Sequence, residues 1–358
     1  MHITRDAHFR HGHSTPLLAT TAVGLVGAML LTGCGSHGED SSGAGSPSAT
    51  ASASAFSSPV KVKSCDETLT FDTPPKRVIL MGDTDASILV KLGVMGSITG
   101  RAGEVMADGY DADTLKKITD VPTITSSELD TGGAKLATET ILDQHADLVI
   151  GYDEGLDRAA LRKAGVKVYA PDTFCPHGTG TDHASFDLVT KEVSTIGDIF
   201  GVPDKARTLN DELTGQVKGL TSQASKDSQH SAAALWVEAG NSGFYTYGTS
   251  SMVQPILEAN GLRNVYDGER KRVYDGERKR VFDATMEDVL NRDPEWIVLL
   301  AQEGDIAKTK PAFLKYKGAS QLQAVKKNQV VVIPFSLTDP PTPQSIKGAV
   351  ELNRLLKK

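Results

Sequence analysis

Pro203-Asp204-Lys205-Ala206-Arg207-Thr208-Leu209-Asn210-Asp211-Glu212-Leu213-Thr214-Gly215-Gln216-Val217-Lys218-Gly219-Leu220-Thr221-Ser222 is the stretch that organises the chain. Ala206, Leu209, Leu213, Val217 and Leu220 recur every three or four residues, Pro203 suits a first helical turn, and Asp204 places negative charge near the helix N-terminus. The spacing predicts one helix. About 20 residues at 1.5 Å each span roughly 30 Å, the width of a small domain. A shorter helix precedes it, with Phe186, Val189, Val193, Ile196 and Phe200 on one stripe and Gly201 at its end. A series of strands and helices lies on either side. The expected architecture is therefore two α/β lobes with mostly parallel sheets, joined by a single long backbone helix, with function in the cleft between them.

The first lobe reads as strand Arg77–Met81, turn Gly82-Asp83-Thr84-Asp85, a helix carrying Ile88, Leu89 and Leu92, then strands at Ser97–Gly100, Asp147–Gly151 and Val166–Ala170. Beyond the long helix the same alternation returns at Ala232–Val237, Phe244–Tyr247, Trp296–Leu300 and Val330–Pro334, closed by a helix over Pro343–Leu356. Alternating strands and helices imply parallel sheets covered on both faces. The halves also share a local pattern. Thr138-Glu139-Thr140-Ile141-Leu142 precedes the strand Leu148-Val149-Ile150, and Met286-Glu287-Asp288-Val289-Leu290 precedes Trp296-Ile297-Val298, at identical spacing.

The 358 residues have room for two domains, and a formal charge of −7 argues against a nucleic-acid binder. Arg5 and Arg10 open a basic segment, Pro16–Leu31 is apolar and small, and Leu31-Thr32-Gly33-Cys34 follows in a pattern that resembles a bacterial lipobox. Cleavage before Cys34 and lipidation of its thiol are expected; the alternative is an ordinary secretory leader with an incidental cysteine. Gly35–Pro59 is almost wholly Ser, Gly, Ala, Thr and Pro, a composition unable to bury a core. Its reach as a tether is on the order of 25–30 Å. The expected divisions are a leader at 1–33, a lipid-anchored tether at 34–59, a first lobe at 60–201, the connecting helix at 202–224 and a second lobe at 225–358. With Cys34 lipidated in an oxidising compartment, Cys65 and Cys175 remain as an expected disulfide, against the alternative of two buried free thiols.

One segment breaks the regularity. Val265-Tyr266-Asp267-Gly268-Glu269-Arg270-Lys271-Arg272 is repeated unchanged as Val273–Arg280, far below the length of a solenoid unit. Asp275-Gly276 is a hairpin-turn signal. The duplication either lengthens a surface loop neutrally or sets basic side chains at the mouth of the cleft to attract an anionic ligand.

Catalytic signatures are missing. The single G-x-G-x-x-G match, Gly33–Gly38, lies in the leader and tether rather than after a strand. Walker A, G-x-S-x-G and H-E-x-x-H patterns do not occur, and Asp153-Glu154 reads as solvated loop charge. His145 reads as a turn residue. The few scattered histidines do not suit a zinc or manganese carrier.

Pro75-Lys76-Arg77-Val78-Ile79, Leu92-Gly93-Val94, Ala146–Ile150, Gly197-Asp198-Ile199-Phe200-Gly201, Tyr245-Thr246-Tyr247-Gly248, Ala259–Val265 and Ala349–Leu352 occur in this order behind a lipobox. From about Cys65 to Lys358 the chain resembles the substrate-binding lipoproteins of ABC importers for ferric siderophores, haem and cobalamin. The resemblance implies a non-enzymatic, monomeric protein on the outer face of a bacterial cell membrane, delivering a ferric siderophore to permease subunits. It implies no resident cofactor or metal site, because the chelate enters complete. Ligand contacts are then expected from Arg101, Tyr152, Trp236, Tyr245, Tyr247 and Phe282 at strand ends. Tyr245 and Tyr247 alternate onto one side of a strand and share a face. Gly133 stands where cobalamin-binding relatives carry a large aromatic, which weakens that alternative; Tyr245, Tyr247 and His177 keep haem open. The resemblance also implies that Glu139 and Glu287 dock into arginine pockets of two permease subunits, against a plain helix-capping role. A two-lobed extracellular enzyme is the alternative from another class. A single connecting helix predicts a change of only a few degrees in lobe angle on binding.

Overall fold

The computed structural model describes residues 55–83, 85–124, 126–128, 134–151, 156–175, 181–222, 230–237, 244–267 and 281–357. The leader, Cys34, the tether up to Ser54, Gly133, Tyr152, Asp153-Glu154, His177 and the repeat from Gly268 to Arg280, with its Asp275-Gly276 turn, lie outside them.

The chain opens with a hairpin of β1 (Val60–Ser64) and β2 (Glu67–Phe71). The first lobe continues with β3 (Val78–Met81), α1 (Ala86–Leu92), β4 (Ile98–Ala102), α2 (Ala112–Thr119), the short pair β5 (Ser127–Glu128) and β6 (Ala134–Lys135), α3 (Thr138–Asp143), β7 (Leu148–Gly151), α4 (Arg158–Lys163) and β8 (Lys167–Tyr169). Its sheet is wholly parallel, in the order β4-β3-β7-β8. Every residue of β3 and β7 is buried, as continuous apolar runs in a sheet covered on both faces require. Helices α5 (Asp187–Ile199) and α6 (Pro203–Thr221) follow.

The second lobe holds β9 (His230–Val237), β10 (Phe244–Tyr247), α7 (Val253–Glu258), β11 (Leu262–Asn264), β12 (Val281–Ala284), α8 (Met286–Arg292), β13 (Trp296–Ala301), α9 (Ile306–Leu314), α10 (Gln323–Lys326), β14 (Val330–Pro334) and α11 (Pro343–Leu356). Its six-stranded sheet is mixed. β11, β9, β13 and β14 run parallel, β10 runs antiparallel to β9, and β12 at the edge pairs antiparallel with β10.

The connecting helix is as long as its periodicity predicts, and it is not alone. Ala206, Leu209 and Leu213 pack into the first-lobe core with Val193 and Ile196, while Leu220, near the other end, packs into the second with Ala232 and Val253. Helix α11 spans the junction in the same way, with Ile346 in the first core and Ala349 and Leu352 in the second. The expected single connecting helix is present and is braced by α11. Two glycines permit close approaches beside this pair: a Cβ on Gly197 of α5 would stand 2.4 Å from the Ala206 Cβ of α6, and one on Gly348 of α11 would stand 2.0 Å from the Leu337 carbonyl oxygen after β14.

The β1–β2 hairpin was not anticipated from sequence. It lies along the outer edge of β8, where the buried Ser64 hydroxyl accepts a hydrogen bond from the Ala170 N–H at 2.9 Å. A disulfide between Cys65 and Cys175, 110 residues apart with Cα atoms 5.1 Å apart, joins the hairpin turn to the segment after β8. The expected pairing is present.

Candidate functional site

In each lobe the C-terminal ends of the parallel strands point toward the other lobe, because the loops leaving them touch. The segment after β4 reaches across to those after β13 and β14. The Asp108 N–H donates to both Glu303 carboxylate oxygens at 3.1 and 3.2 Å, and the Gly304 N–H donates back to Asp108 Oδ2 at 2.9 Å. The Gly109 carbonyl accepts from Lys347 Nζ at 3.0 Å and from the Gln344 amide. On its own lobe this loop is held by Asp83, whose Oδ2 accepts from the Met106 N–H at 2.7 Å and whose carbonyl accepts from the Tyr110 hydroxyl at 2.9 Å. Burial pushes the Asp83 carboxyl up, opposed by the Met106 N–H and by Arg101. Burial also raises Glu303. Local sequence patterns carried no sign of this reciprocal clasp, because each half of it lies in an irregular loop.

The second-lobe wall is aromatic. Trp236 near the end of β9 and Tyr245 on β10 are cross-strand partners with ring centroids 5.3 Å apart, and Phe335, just past β14, stands 6.4 Å from Trp236. The Trp236 Nε1–H is buried without a hydrogen-bond partner among the described residues. Tyr245 and Tyr247 share a face as the strand period requires, and Phe335 is also 6.3 Å from Tyr247. Their exposures differ. Tyr245 is 39% exposed, whereas Tyr247 is 4% exposed and belongs to the core. Phe282, only 6% exposed, packs on Tyr266 in the core of the opposite sheet face, which takes it out of the candidate set. Phe335 was missed from sequence; an aromatic directly after the C-terminal end of a parallel strand was the available signal.

The first-lobe wall contributes Arg101, half-buried near the end of β4. Its Nη1 donates to the Gly103 carbonyl at 3.1 Å, while its Nε is buried with no hydrogen-bond partner among the described residues. The second lobe thus presents stacking surfaces at its strand ends, and the first a guanidinium near the end of β4. Among the described residues no cluster of three His, Cys, Asp or Glu side chains could hold a metal ion.

Behind the first-lobe wall lie two acids. Asp85, at the start of α1, is fully buried with neither carboxylate oxygen hydrogen-bonded among the described residues, and burial pushes it up to about 7. Glu192 on α5 accepts from the Tyr169 hydroxyl at 2.8 Å and is raised well above the carboxylate range by burial and then by the Asp85 charge. A carboxyl raised on folding stabilises fully below its unfolded value and loses that contribution as pH climbs through the folded one. Asp85→Asn is therefore expected to leave unfolding free energy near wild type at about pH 4 and to raise it by on the order of 2 kcal/mol at about pH 8.5. Denaturant melts at the two pH values check this, and an equal change at both contradicts it.

Glu139 and Glu287 each occupy the second position of their helix, α3 and α8. Both are exposed, and neither has a hydrogen-bond or ion-pair partner among the described residues.

Residues 78–337 match the periplasmic binding protein family. The chain is similar to a protein of an ABC-type Fe3+-hydroxamate transport system from Saccharomonospora viridis, at 34% identity and a TM-score of 0.73 over 84% of this chain and 99% of that one. It is also similar to the haem-binding protein HutB of Vibrio cholerae, at 16% identity and TM-score 0.61 over 79% of this chain and 99% of that one. The vitamin B12-binding protein BtuF of Vibrio cholerae matches at 16% identity and TM-score 0.57 over 79% and 97%. At such identities the last two establish the fold alone. No curated protein matches the chain.

Proposed function

Since this chain belongs to the periplasmic binding protein family, we propose that it captures a ferric siderophore, of the hydroxamate class, in the interlobe cleft and delivers it to an ABC permease. Its role is binding rather than catalysis, outside the cytoplasm. The observation that supports the ligand reading is the aromatic cluster of Trp236, the exposed Tyr245 and Phe335 at the strand ends of the second lobe, with the Arg101 guanidinium near the end of β4 in the first. Flat chelate rings stack on aromatic faces, and hydroxamate oxygens accept from indole and guanidinium donors. The likeness to the Saccharomonospora viridis protein supports the same class.

Fluorescence quenching tests this. The chain has two tryptophans, and Trp296 lies at the far end of β13 from the cleft, so Trp296→Phe leaves Trp236 as reporter. Ferric hydroxamates are expected to quench it and to bind about tenfold or more weakly to Tyr245→Ala and to Arg101→Ala. Preferential binding of haem or cobalamin, seen as a Soret band or a corrinoid spectrum in the purified protein, overturns the assignment.

We further propose that lipid on Cys34 anchors the protein to the outer face of the cell membrane. Among the described residues no helix is long and apolar enough to cross one. An acylated N-terminal peptide beginning at Cys34, seen by mass spectrometry, is the expected result.

A further inference from the structure

A second concavity lies far from the cleft, between the free edge of β2 and the outer edge of β8. It has a volume of about 490 Å³, within the range of sites for small organic ligands. Residues 165–168 on one side stand at the start of β8, the end opposite the cleft. Its charge runs against that of the chain, which is −7 in total. Arg158, Arg162 and Lys167 line it against the single carboxylate of Glu67. Lys61 and Lys63 extend the same sign: they stand directly across β1–β2 from Thr70 and Thr68, which line the groove, and paired residues share a sheet face.

The cations are held rather than loosely gathered. Arg158 Nη2 donates to the Val168 carbonyl at 2.9 Å and to the Ser64 hydroxyl at 3.0 Å, which fixes its guanidinium beside the disulfide. Arg162 pairs with Glu67 yet keeps a 64% exposed side chain, so its planar fork retains donors toward the groove. Lys167 Nζ is placed 5.3 Å from the centroid of the buried Phe71 ring. Thr68 and Thr70 add hydroxyls. Fixed guanidinium, ammonium and hydroxyl donors around one pocket match the oxygens of a phosphate group.

We infer that this groove binds a phosphate ester of headgroup size, at a site separate from the interlobe cleft. A phospholipid headgroup and a soluble organic phosphate both carry that chemistry, and β1, which pairs with the groove's strand β2, is where the chain arrives from its N-terminal segment. Titration of the full chain with glycerol 3-phosphate, and co-sedimentation with phosphatidylglycerol vesicles against phosphatidylcholine vesicles, separate the two sources. Saturable binding that weakens about tenfold in Arg162→Gln/Lys167→Gln, and weakens with added salt, is expected. Both changes keep the first two methylenes of each stem, and the thermal melt of the variant reports its folding. Lys61→Gln/Lys63→Gln, on exposed strand positions, provides a second variant with a smaller loss in the same direction. Binding of glycerol 3-phosphate alone assigns a soluble ligand, and binding of the anionic vesicles assigns the headgroup. Absence of both, or equal binding by wild type and both variants, overturns the site.

Discussion

Replacing Glu139 and Glu287 together by alanine is expected to lower transport at least about tenfold while leaving ligand affinity unchanged, with each single change milder. The two carboxylates sit at the second position of α3 and α8, and each is followed after the same interval by the central strand of its lobe, β7 or β13. Capping does not explain them. In α8 the Thr285 hydroxyl already accepts from the Asp288 N–H at 3.2 Å, so Glu287 is not needed as a cap. In α3 the preceding Ala137 has no side chain to cap with, and Glu139 contributes only its charge near the helix N-terminus, typically about 0.3–1 kcal/mol. Two exposed glutamates, each without a partner among the described residues and in equivalent places on two lobes, are what the proposed docking to two equivalent basic pockets requires. Uptake by cells or vesicles, compared with fluorescence affinity of the purified variants, gives the two readouts. Wild-type uptake by the double variant removes the docking role.

Removing the disulfide through Cys65→Ser and Cys175→Ser is expected to lower unfolding free energy by roughly 4 kcal/mol and the melting temperature by about 10 °C. The crosslink closes a loop of 110 residues, long enough for the chain-entropy contribution to be large. It also ties the hairpin to the edge of the first-lobe sheet, where Ser64 and Arg158 make the adjoining hydrogen bonds. Reduction by dithiothreitol of the wild-type chain should reproduce the shift. A change below about 1 kcal/mol would show that packing alone holds the hairpin.

The parts of the fold that were legible are those whose burial is simple. β3, β7 and β13 are apolar runs buried on both faces, and α6 and α11 carry regular stripes behind an N-terminal proline. The hairpin and the short strands β11 and β12 escaped notice because they bury only alternate residues over three to five positions. Trp236 and Tyr245 could be picked out because aromatics at strand ends stand where clefts form. Phe282 could not be sorted from them, since a period of two tells which residues share a face and not which face meets the core. Nor could the clasp, whose partners are almost two hundred residues apart.

That clasp bears on how cargo leaves. The lobes are tied on one side by the packed helices α6 and α11 and on another by Asp108, Glu303 and Gly304. A body held at two separated places resists swinging open about either, so the cleft is expected to be largely shaped before its guest arrives, with little affinity lost to ordering. The same stiffness means that thermal motion alone seldom pries the walls apart. Unloading then becomes mechanical work done by whatever grips both lobes at once, and the energy for it has to come from the translocating machine rather than from the carrier.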